Sequence, residues 1–171
     1  QYAPAGTETY LVNSKSMPET VKAAGAHLDT NEPVILAMPD TYWTDATILS
    51  RLAAALLDDT STIAGAALWE VNAVQARKLG VCAVGSDRIT AVIDKSETTD
   101  LRPAWGVLAW RKAFWQYIAP GDAHMGVALQ RAIDAGKTVC AVYAAGPYYD
   151  CGTTDDYFQC IRELTEPEVA R

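Results

Sequence analysis

Two aspartates follow segments of this sequence that have the pattern of strands. Asp40 comes after the apolar run at residues 33–38, and Asp150 comes after the strand-like run at residues 137–143 and the aromatic pair Tyr148 and Tyr149. Paired carboxylates at strand ends can hold one Mg²⁺, a hard ion that prefers oxygen ligands and keeps waters for substrate phosphates. An aspartate after a strand is also a common turn or cap residue. Only the combination of the two therefore predicts a magnesium site.

Two further charged residues have a chemical and a structural interpretation each. Lys95 follows a strand-like segment and could be a point charge for a phosphate, or simply an exposed lysine at a strand end. Glu19 could accept hydrogen bonds from the edge of a base, but its spacing from Ser16 is that of a capping box, which we favour. His27 and His124 are isolated within helical patterns, and we assign them no role. No GxSxG, HExxH or Walker A motif is found.

The chain that must position these residues has the composition of one globular domain. Its 171 residues are 50% hydrophobic and carry a formal net charge of −7, which favours a single domain over 1–171 and excludes disorder. No cluster of basic residues predicts a nucleic-acid partner, and the longest charge-free stretch, 138–149, is too short to cross a membrane. We see no signal peptide and no CxxC pair, so we expect a cytoplasmic protein with reduced thiols.

Strand-like and helix-like segments alternate along the chain. Apolar runs predict strands at 9–12, 33–38, 62–69, 104–110 and 137–143. Helical periodicity and cap signals predict helices at 16–27, 45–57, 72–79, 112–118, 122–135 and 153–164. The segments 80–84 and 88–93 predict an inserted β-hairpin. This order favours an α/β sheet with helices on both faces and a site beyond the carboxyl ends of the strands. The run at 33–38 is typical of a parallel strand buried on both faces.

The motifs, taken in order, resemble those of the sugar nucleotidyltransferases, which include the glucose-1-phosphate thymidylyl- and uridylyltransferases and the mannose-1-phosphate guanylyltransferases. The resemblance covers roughly residues 10–164. The matching pieces are Pro39-Asp40, Lys78-Leu79-Gly80-Val81, Ile93-Asp94-Lys95, Ala104-Trp105-Gly106-Val107-Leu108 and Asp150-Cys151-Gly152-Thr153 with the following Asp156-Tyr157. The resemblance implies a mostly parallel, Rossmann-like sheet of the nucleotide-diphospho-sugar transferase type. It also implies a Mg²⁺-dependent reaction in which a sugar 1-phosphate attacks the α-phosphate of a nucleoside triphosphate and pyrophosphate leaves.

The resemblance further implies roles for the charged residues of these motifs. Asp40 and Asp150 correspond to the two Mg²⁺ ligands, and Lys95 corresponds to the cation on the sugar phosphate. Asp94 occupies the position of a family glutamate that contacts sugar hydroxyls, and its side chain is one methylene shorter.

Three other residues correspond to parts of the family's substrate site. Gly80 and Gly106 match glycines at which the backbone approaches the hexose. Glu19 lies in the segment 16–21, which matches a segment that contacts the base. A carboxylate at that position would favour a base edge that offers N–H donors, such as guanine.

One part of the family pattern is not found in this sequence. The family has an N-terminal strand followed by a Gly-rich loop with an Arg and then a Pro-Lys motif, which together bind the triphosphate. The missing strand lies beside the strand that ends at Asp40. We therefore expect residues 34–38 to pair with something outside this sequence, such as a second chain carrying the N-terminal half, a symmetry mate or a rearranged sheet. We also expect the chain to be inactive alone.

Three functions remain open, in this order. The first is the C-terminal part of an active sugar-1-phosphate nucleotidyltransferase, because Asp40, Lys95 and Asp150 are all retained. The second is a non-catalytic, nucleotidyltransferase-like module for interaction or regulation. The third is a glycosyltransferase of related fold, although its Asp-x-Asp motif is not found. The base, the sugar and the oligomeric state stay open. Four tryptophans could mark a homo-oligomer interface, but we favour core packing for Trp43, Trp105, Trp110 and Trp115.

Overall fold

A mixed β-sheet forms the centre of the protein in a computed structural model that describes residues 6–28 and 31–165. The strands are β1 (Val34–Ala37), β2 (Thr41–Trp43), β3 (Thr62–Glu70), β4 (Gly80–Gly85), β5 (Arg88–Asp94), β6 (Pro103–Trp110), β7 (Thr138–Tyr143) and β8 (Tyr148–Asp150). The helices are α1 (Met17–Gly25), α2 (Ile48–Asp58), α3 (Ala73–Lys78), α4 (Met125–Asp134) and α5 (Thr154–Thr165), with a 3₁₀ helix at Lys112–Tyr117. Strands β2 and β8 form a separate two-stranded sheet.

The expectation of a mostly parallel sheet was wrong. The six-stranded sheet has the order β1-β6-β3-β7-β5-β4, and β4 also pairs with β6, so the sheet closes into a small barrel. Among the strands of the described residues, β3 and β7 form the one parallel pair of this sheet. Strands β1, β3 and β7 do point in one direction, but β6 lies antiparallel between β1 and β3. The hairpin of β4 and β5 matches its prediction, and the chain that leaves it returns as β6 against β3.

Strand β1 lies at the edge of the sheet and is not buried on both faces. It pairs with β6 on one side, and no strand of residues 6–28 or 31–165 pairs with its other side. Val34 and Leu36 pack against the core, whereas Ile35 is 40% exposed. An apolar run alone does not distinguish a central parallel strand from an edge strand with one covered face. That this edge pairs with something outside the sequence stays a prediction.

Helices cover both faces of the sheet, as the order of segments predicts. On one face, α2 and α3 pack on a cluster around Trp69, with Ile48, Leu52, Leu56 and Ala76. On the other face, α4 and the 3₁₀ helix pack on Leu108 and Trp110, with Phe114, Met125, Ala128 and Leu129. The tryptophans pack in these clusters: Trp110 is buried within one, and Trp43, Trp105 and Trp115 contact them as partly buried side chains.

Several boundaries differ from the sequence-based expectations. Residues 9–12 are not a strand, and the segment 112–118 forms a 3₁₀ helix rather than an α-helix. Strands β2 and β8, three residues each, were not predicted, because segments this short carry no detectable periodicity. Within the described part of the chain, no helix is long and apolar enough to cross a membrane.

The open edge of β1 leads to a first prediction. Strand edges without a charge or a proline template aggregation, and Val34–Ala37 contains neither. Ile35→Lys should therefore raise the protein concentration at which aggregates appear in light scattering, with the circular dichroism spectrum unchanged. Leu57→Lys is the matched control, because Leu57 is a 54% exposed side chain on α2 rather than on the sheet edge. Equal thresholds for the two variants would contradict the prediction.

Candidate functional site

One cavity of about 260 Å³ brings together six of the seven residues singled out from the sequence. These residues are Asp40, Gly80, Asp94, Lys95, Gly106 and Asp150. The cavity lies at the edge of the sheet where β1 ends and β6 begins, because β6 runs antiparallel to β1 and β3. The cavity therefore lies beyond the carboxyl ends of β1, β3 and β7, where the order of segments predicts a site.

The pairing of β2 with β8 joins the two aspartates. Thr41 lies opposite Asp150 in this pair, and the backbone N–H of Cys151 donates a hydrogen bond of 2.8 Å to the carbonyl oxygen of Asp40. A Cβ atom added to Gly152 would lie 3.2 Å from Oδ1 of Asp150 and 3.7 Å from Oδ2 of Asp40. Both carboxylates thus border the same space, which the missing side chain of Gly152 leaves open.

This pair of carboxylates fits the donor set of a Mg²⁺ site. Mg²⁺ is commonly held by one or two protein carboxylates, with waters and substrate phosphates as its other ligands. Across residues 6–28 and 31–165, no group of three or more His, Cys, Asp and Glu side chains could hold a metal ion. An ion bound between Asp40 and Asp150 would therefore take its remaining ligands from water and substrate.

Asp94 is packed among protein groups at the wall of the cavity. Its carboxylate oxygens contact the backbone of Gly80 and of Gly126, so closely that a Cβ at either glycine would overlap them. Burial raises the pKa of Asp94, and the nearby His124, the indole N–H of Trp105 and Lys95 partly offset this rise. The side chain is therefore a desolvated acceptor with few donors of its own.

Lys95 has an unusual backbone conformation at the rim of the cavity. Its φ angle is +52°, in the left-handed region that residues other than glycine seldom adopt. Its backbone N–H donates a hydrogen bond of 3.1 Å to the carbonyl oxygen of Leu79, which holds the residue against the start of β4. The chain leaves β5 at this residue, and the exposed side chain of Lys95 lines the cavity.

The glycines at 80 and 106 have a packing role besides lining the cavity. The space of a Cβ at Gly80 is filled by Asp94 and by Nε1 of Trp105. The corresponding space at Gly106 is filled by the rings of Tyr148 and Trp69. Any side chain at either position would displace these groups, which is why glycine is required there whatever the ligand.

Glu19 does not line this cavity. It lies in the first turn of α1, where its backbone N–H contacts Oγ of Ser16 at 3.4 Å and its Oε2 accepts a hydrogen bond of 2.7 Å from the backbone N–H of Lys15. The carboxylate therefore serves the cap of α1. Met17, two residues earlier, does line the cavity.

Solved structures with a similar fold identify the architecture. No protein-family model matches the chain, and no curated protein sequence matches it significantly. A protein assigned as a glucose-1-phosphate thymidylyltransferase from Bacillus anthracis, in complex with sucrose, superposes on 95% of the chain with a TM-score of 0.76 at 15% identity. A UDP-glucose pyrophosphorylase complexed with UDP-glucose superposes on 90% with a TM-score of 0.72 at 17% identity. The inositol-1-phosphate CTP transferase from T. maritima superposes on 87% with a TM-score of 0.66 at 15% identity.

The chain has the fold of the sugar nucleotidyltransferases. The resemblance carried by the sequence motifs is thus confirmed at the level of the fold. The chain spans 67%, 63% and 60% of these three proteins, in the order given.

The sequence assigns no substrate or metal role to three other residues around the cavity of this nucleotidyltransferase fold. His124, Trp105 and Tyr148 line it, and His124 is the residue before α4 whose side chain makes no capping hydrogen bond. The sequence did contain one signal of close packing here, because Gly126 lies in the first turn of α4 and glycine is a poor helix former. The missing side chain of Gly126 leaves room for the carboxylate of Asp94. A second cavity of about 670 Å³ adjoins the first and shares Lys78, Leu79, Tyr148 and Asp150 with it.

The burial of Asp94 predicts a pH-dependent stability. Because its pKa is raised in the folded state, ionised Asp94 lowers the free energy of unfolding at neutral pH. This penalty vanishes below the pKa of an unfolded aspartate, about 3.9, where both states are protonated. Asp94→Asn should therefore raise the melting temperature by a few degrees at pH 7, and the gain should shrink as the pH falls towards 4.

Asp122 offers a control of opposite sign. Its hydrogen bonds from Arg131, of 2.6 and 2.9 Å, lower the pKa of Asp122. That contribution to stability is present at neutral pH and is lost as the pH falls through the folded-state pKa. Asp122→Asn should therefore lower the melting temperature at pH 7. Melting temperatures that move in the same direction for both variants at pH 7 would contradict this assignment.

Proposed function

We propose that this chain carries the sugar-phosphate and metal site of a sugar-1-phosphate nucleotidyltransferase. The reaction would be NTP + sugar 1-phosphate → NDP-sugar + pyrophosphate. The observation that carries the proposal is the convergence of Asp40, Asp150, Asp94 and Lys95 on one cavity of a fold that sugar nucleotidyltransferases have. Neither the motifs nor the fold would support this reaction without that convergence.

Asp40 and Asp150 would hold Mg²⁺ on the side of the cavity next to Gly152. Bound there, the ion would neutralise charge on the phosphates of the nucleotide. The chain would contribute the pairing of β2 with β8, which holds both carboxylates beside the space next to Gly152.

Lys95 and Asp94 would bind the sugar phosphate from opposite ends. The Lys95 ammonium is a point charge for the phosphate, and Asp94 is an acceptor for a sugar hydroxyl. Held between them, a phosphate oxygen can approach the α-phosphate of the nucleotide in line with the leaving pyrophosphate. Such a reaction is accelerated mainly by orientation and by neutralisation of charge. The base and the sugar are left open by this proposal.

The charge around the two cavities bears on the triphosphate. Among the described residues, two lysines, Lys78 and Lys95, and no arginine line the two cavities. Six carboxylates line the same cavities, those of Asp40, Glu70, Asp94, Asp150, Asp156 and Glu163. Two lysines are few for a triphosphate, so we propose that part of the triphosphate site comes from residues outside these cavities. The same scarcity favours a second candidate, a module that binds sugar phosphate without turnover.

Binding and turnover assays separate the two candidates. Isothermal titration calorimetry with glucose 1-phosphate and mannose 1-phosphate should detect binding to the chain. Lys95→Met should weaken it by about tenfold or more, the loss expected for one hydrogen bond to a charged group. Lys137→Met is the control, because Lys137 is exposed at the start of β7, at the opposite end of that strand from the site. Pyrophosphate release with each nucleoside triphosphate and Mg²⁺ then tests turnover.

Three outcomes test the proposed site. Binding that depends on Lys95, together with pyrophosphate release, supports the transferase. Binding that depends on Lys95 without release supports the sugar-phosphate site and is the result expected of either candidate, because we expect the chain to be inactive alone. No binding of a sugar 1-phosphate, or equal binding by wild type and Lys95→Met, refutes the proposed site.

A further inference from the structure

Asp45 fixes the segment that leads from β7 into β8. One carboxylate oxygen, Oδ2, accepts a hydrogen bond of 2.9 Å from the backbone N–H of Ala145 and forms a salt bridge with Nη2 of Arg51. The other oxygen, Oδ1, accepts from the backbone N–H and the hydroxyl of Thr47, at 2.9 and 2.7 Å. Arg51 also donates to the carbonyl oxygen of Tyr143 at 2.9 Å. The two side chains therefore hold the segment where it leaves β7.

This carboxylate is well shielded and permanently charged at neutral pH. Its side chain is only 6% exposed. The hydrogen bonds from Ala145, Thr47 and Arg51 hold the pKa of Asp45 far below its usual range. The attachment of the segment is thus present at every pH at which the site would work.

The attachment reaches the two aspartates of the candidate site through the β2–β8 pair. Asp45 follows β2 by two residues, and Ala145 precedes β8 by three. Gly146, which follows Ala145, has a φ of +73° and packs directly on Oγ1 of Thr44. At the other end of the pair, Cys151 donates to the carbonyl oxygen of Asp40. A three-residue pair thus has one attachment at each end.

We propose that Asp45, with Arg51, is a positioning residue that fixes β8 against β2 and thereby sets the separation of the Asp40 and Asp150 carboxylates. Three paired residues hold β8 to β2 weakly by themselves, so the attachment at Asp45 decides whether Asp150 faces Asp40. This inference rests on the proposed function, because the separation matters only if the two carboxylates hold a metal ion.

Asp59 provides a matched control for a purely structural role. It makes the same kind of turn, with Oδ1 accepting from the backbone N–H and hydroxyl of Ser61 at 2.8 and 2.7 Å and Oδ2 accepting from Thr62 at 3.0 Å. It precedes β3 and lies at the edge of the sheet away from the site. Asp59→Asn should disturb a loop of equal kind without moving Asp40 or Asp150.

The experiment measures Mn²⁺ binding to the full chain by electron paramagnetic resonance. Asp45→Ala should weaken Mn²⁺ binding by about tenfold, the lower end of the loss seen when residues that orient metal ligands are removed. Asp45→Asn, which keeps one acceptor oxygen, should restore part of the affinity. Arg51→Gln should weaken binding in the same direction, and Asp59→Asn should match wild type. Amide hydrogen exchange at Cys151 should accelerate in Asp45→Ala and not in Asp59→Asn.

The outcomes distinguish this inference from the proposed function. If wild type binds Mn²⁺ and Asp150→Asn abolishes it, but Asp45→Ala and Arg51→Gln bind like wild type, the positioning role is refuted and the metal site stands. If wild type does not bind Mn²⁺, or Asp150→Asn binds equally, the metal site and the positioning role both fail. Should Asp45→Ala not fold by circular dichroism, Asp45→Asn and Arg51→Gln test the positioning role in its place.

Discussion

The pairing of β2 with β8 is the constraint on which the candidate site depends. The two strands are far apart in sequence, and each contributes only three residues, yet their register puts Asp150 beside the residue that follows Asp40. A shift of one residue would turn Asp150 to the other face of the strand and separate it from Asp40. The hydrogen bonds at both ends of the pair, from Cys151 and from Ala145, oppose such a shift.

The antiparallel strand β6 determines the rest of the cavity. Because β6 begins at the edge where β1 and β3 end, its third and fourth residues, Trp105 and Gly106, line the same cavity as Asp40 and Asp150. The hairpin then brings Asp94 and Lys95 to the same edge, since Asp94 pairs with Gly80 at the start of β4. Close packing around glycines keeps this wall in place, and each such glycine faces a specific aromatic or carboxylate group.

Electrostatics give the site its chemical character. The chain is acidic overall, and carboxylates outnumber lysines around both cavities. An anionic substrate would meet repulsion there unless a divalent cation or further cationic residues took part. Burial gives Asp94 a different character from the exposed carboxylates. A desolvated carboxylate gains more from a hydrogen-bond donor of a ligand than an exposed one does.

The sequence by itself determined the local elements, the hairpin, the two-sided covering by helices and the residues that now surround one cavity. These follow from apolar periodicity, cap signals and motif order, which act over a few residues. It did not reveal that β6 separates β1 from β3, that β1 is an edge strand or that β2 and β8 exist. The capping role of Glu19, which its spacing from Ser16 favours, is confirmed. The sequence did not reveal that His124 and Gly126 adjoin Asp94. Only the tertiary structure decided these points, because strand order and long-range pairing depend on contacts between residues distant in sequence, and short apolar segments are equally compatible with several partners.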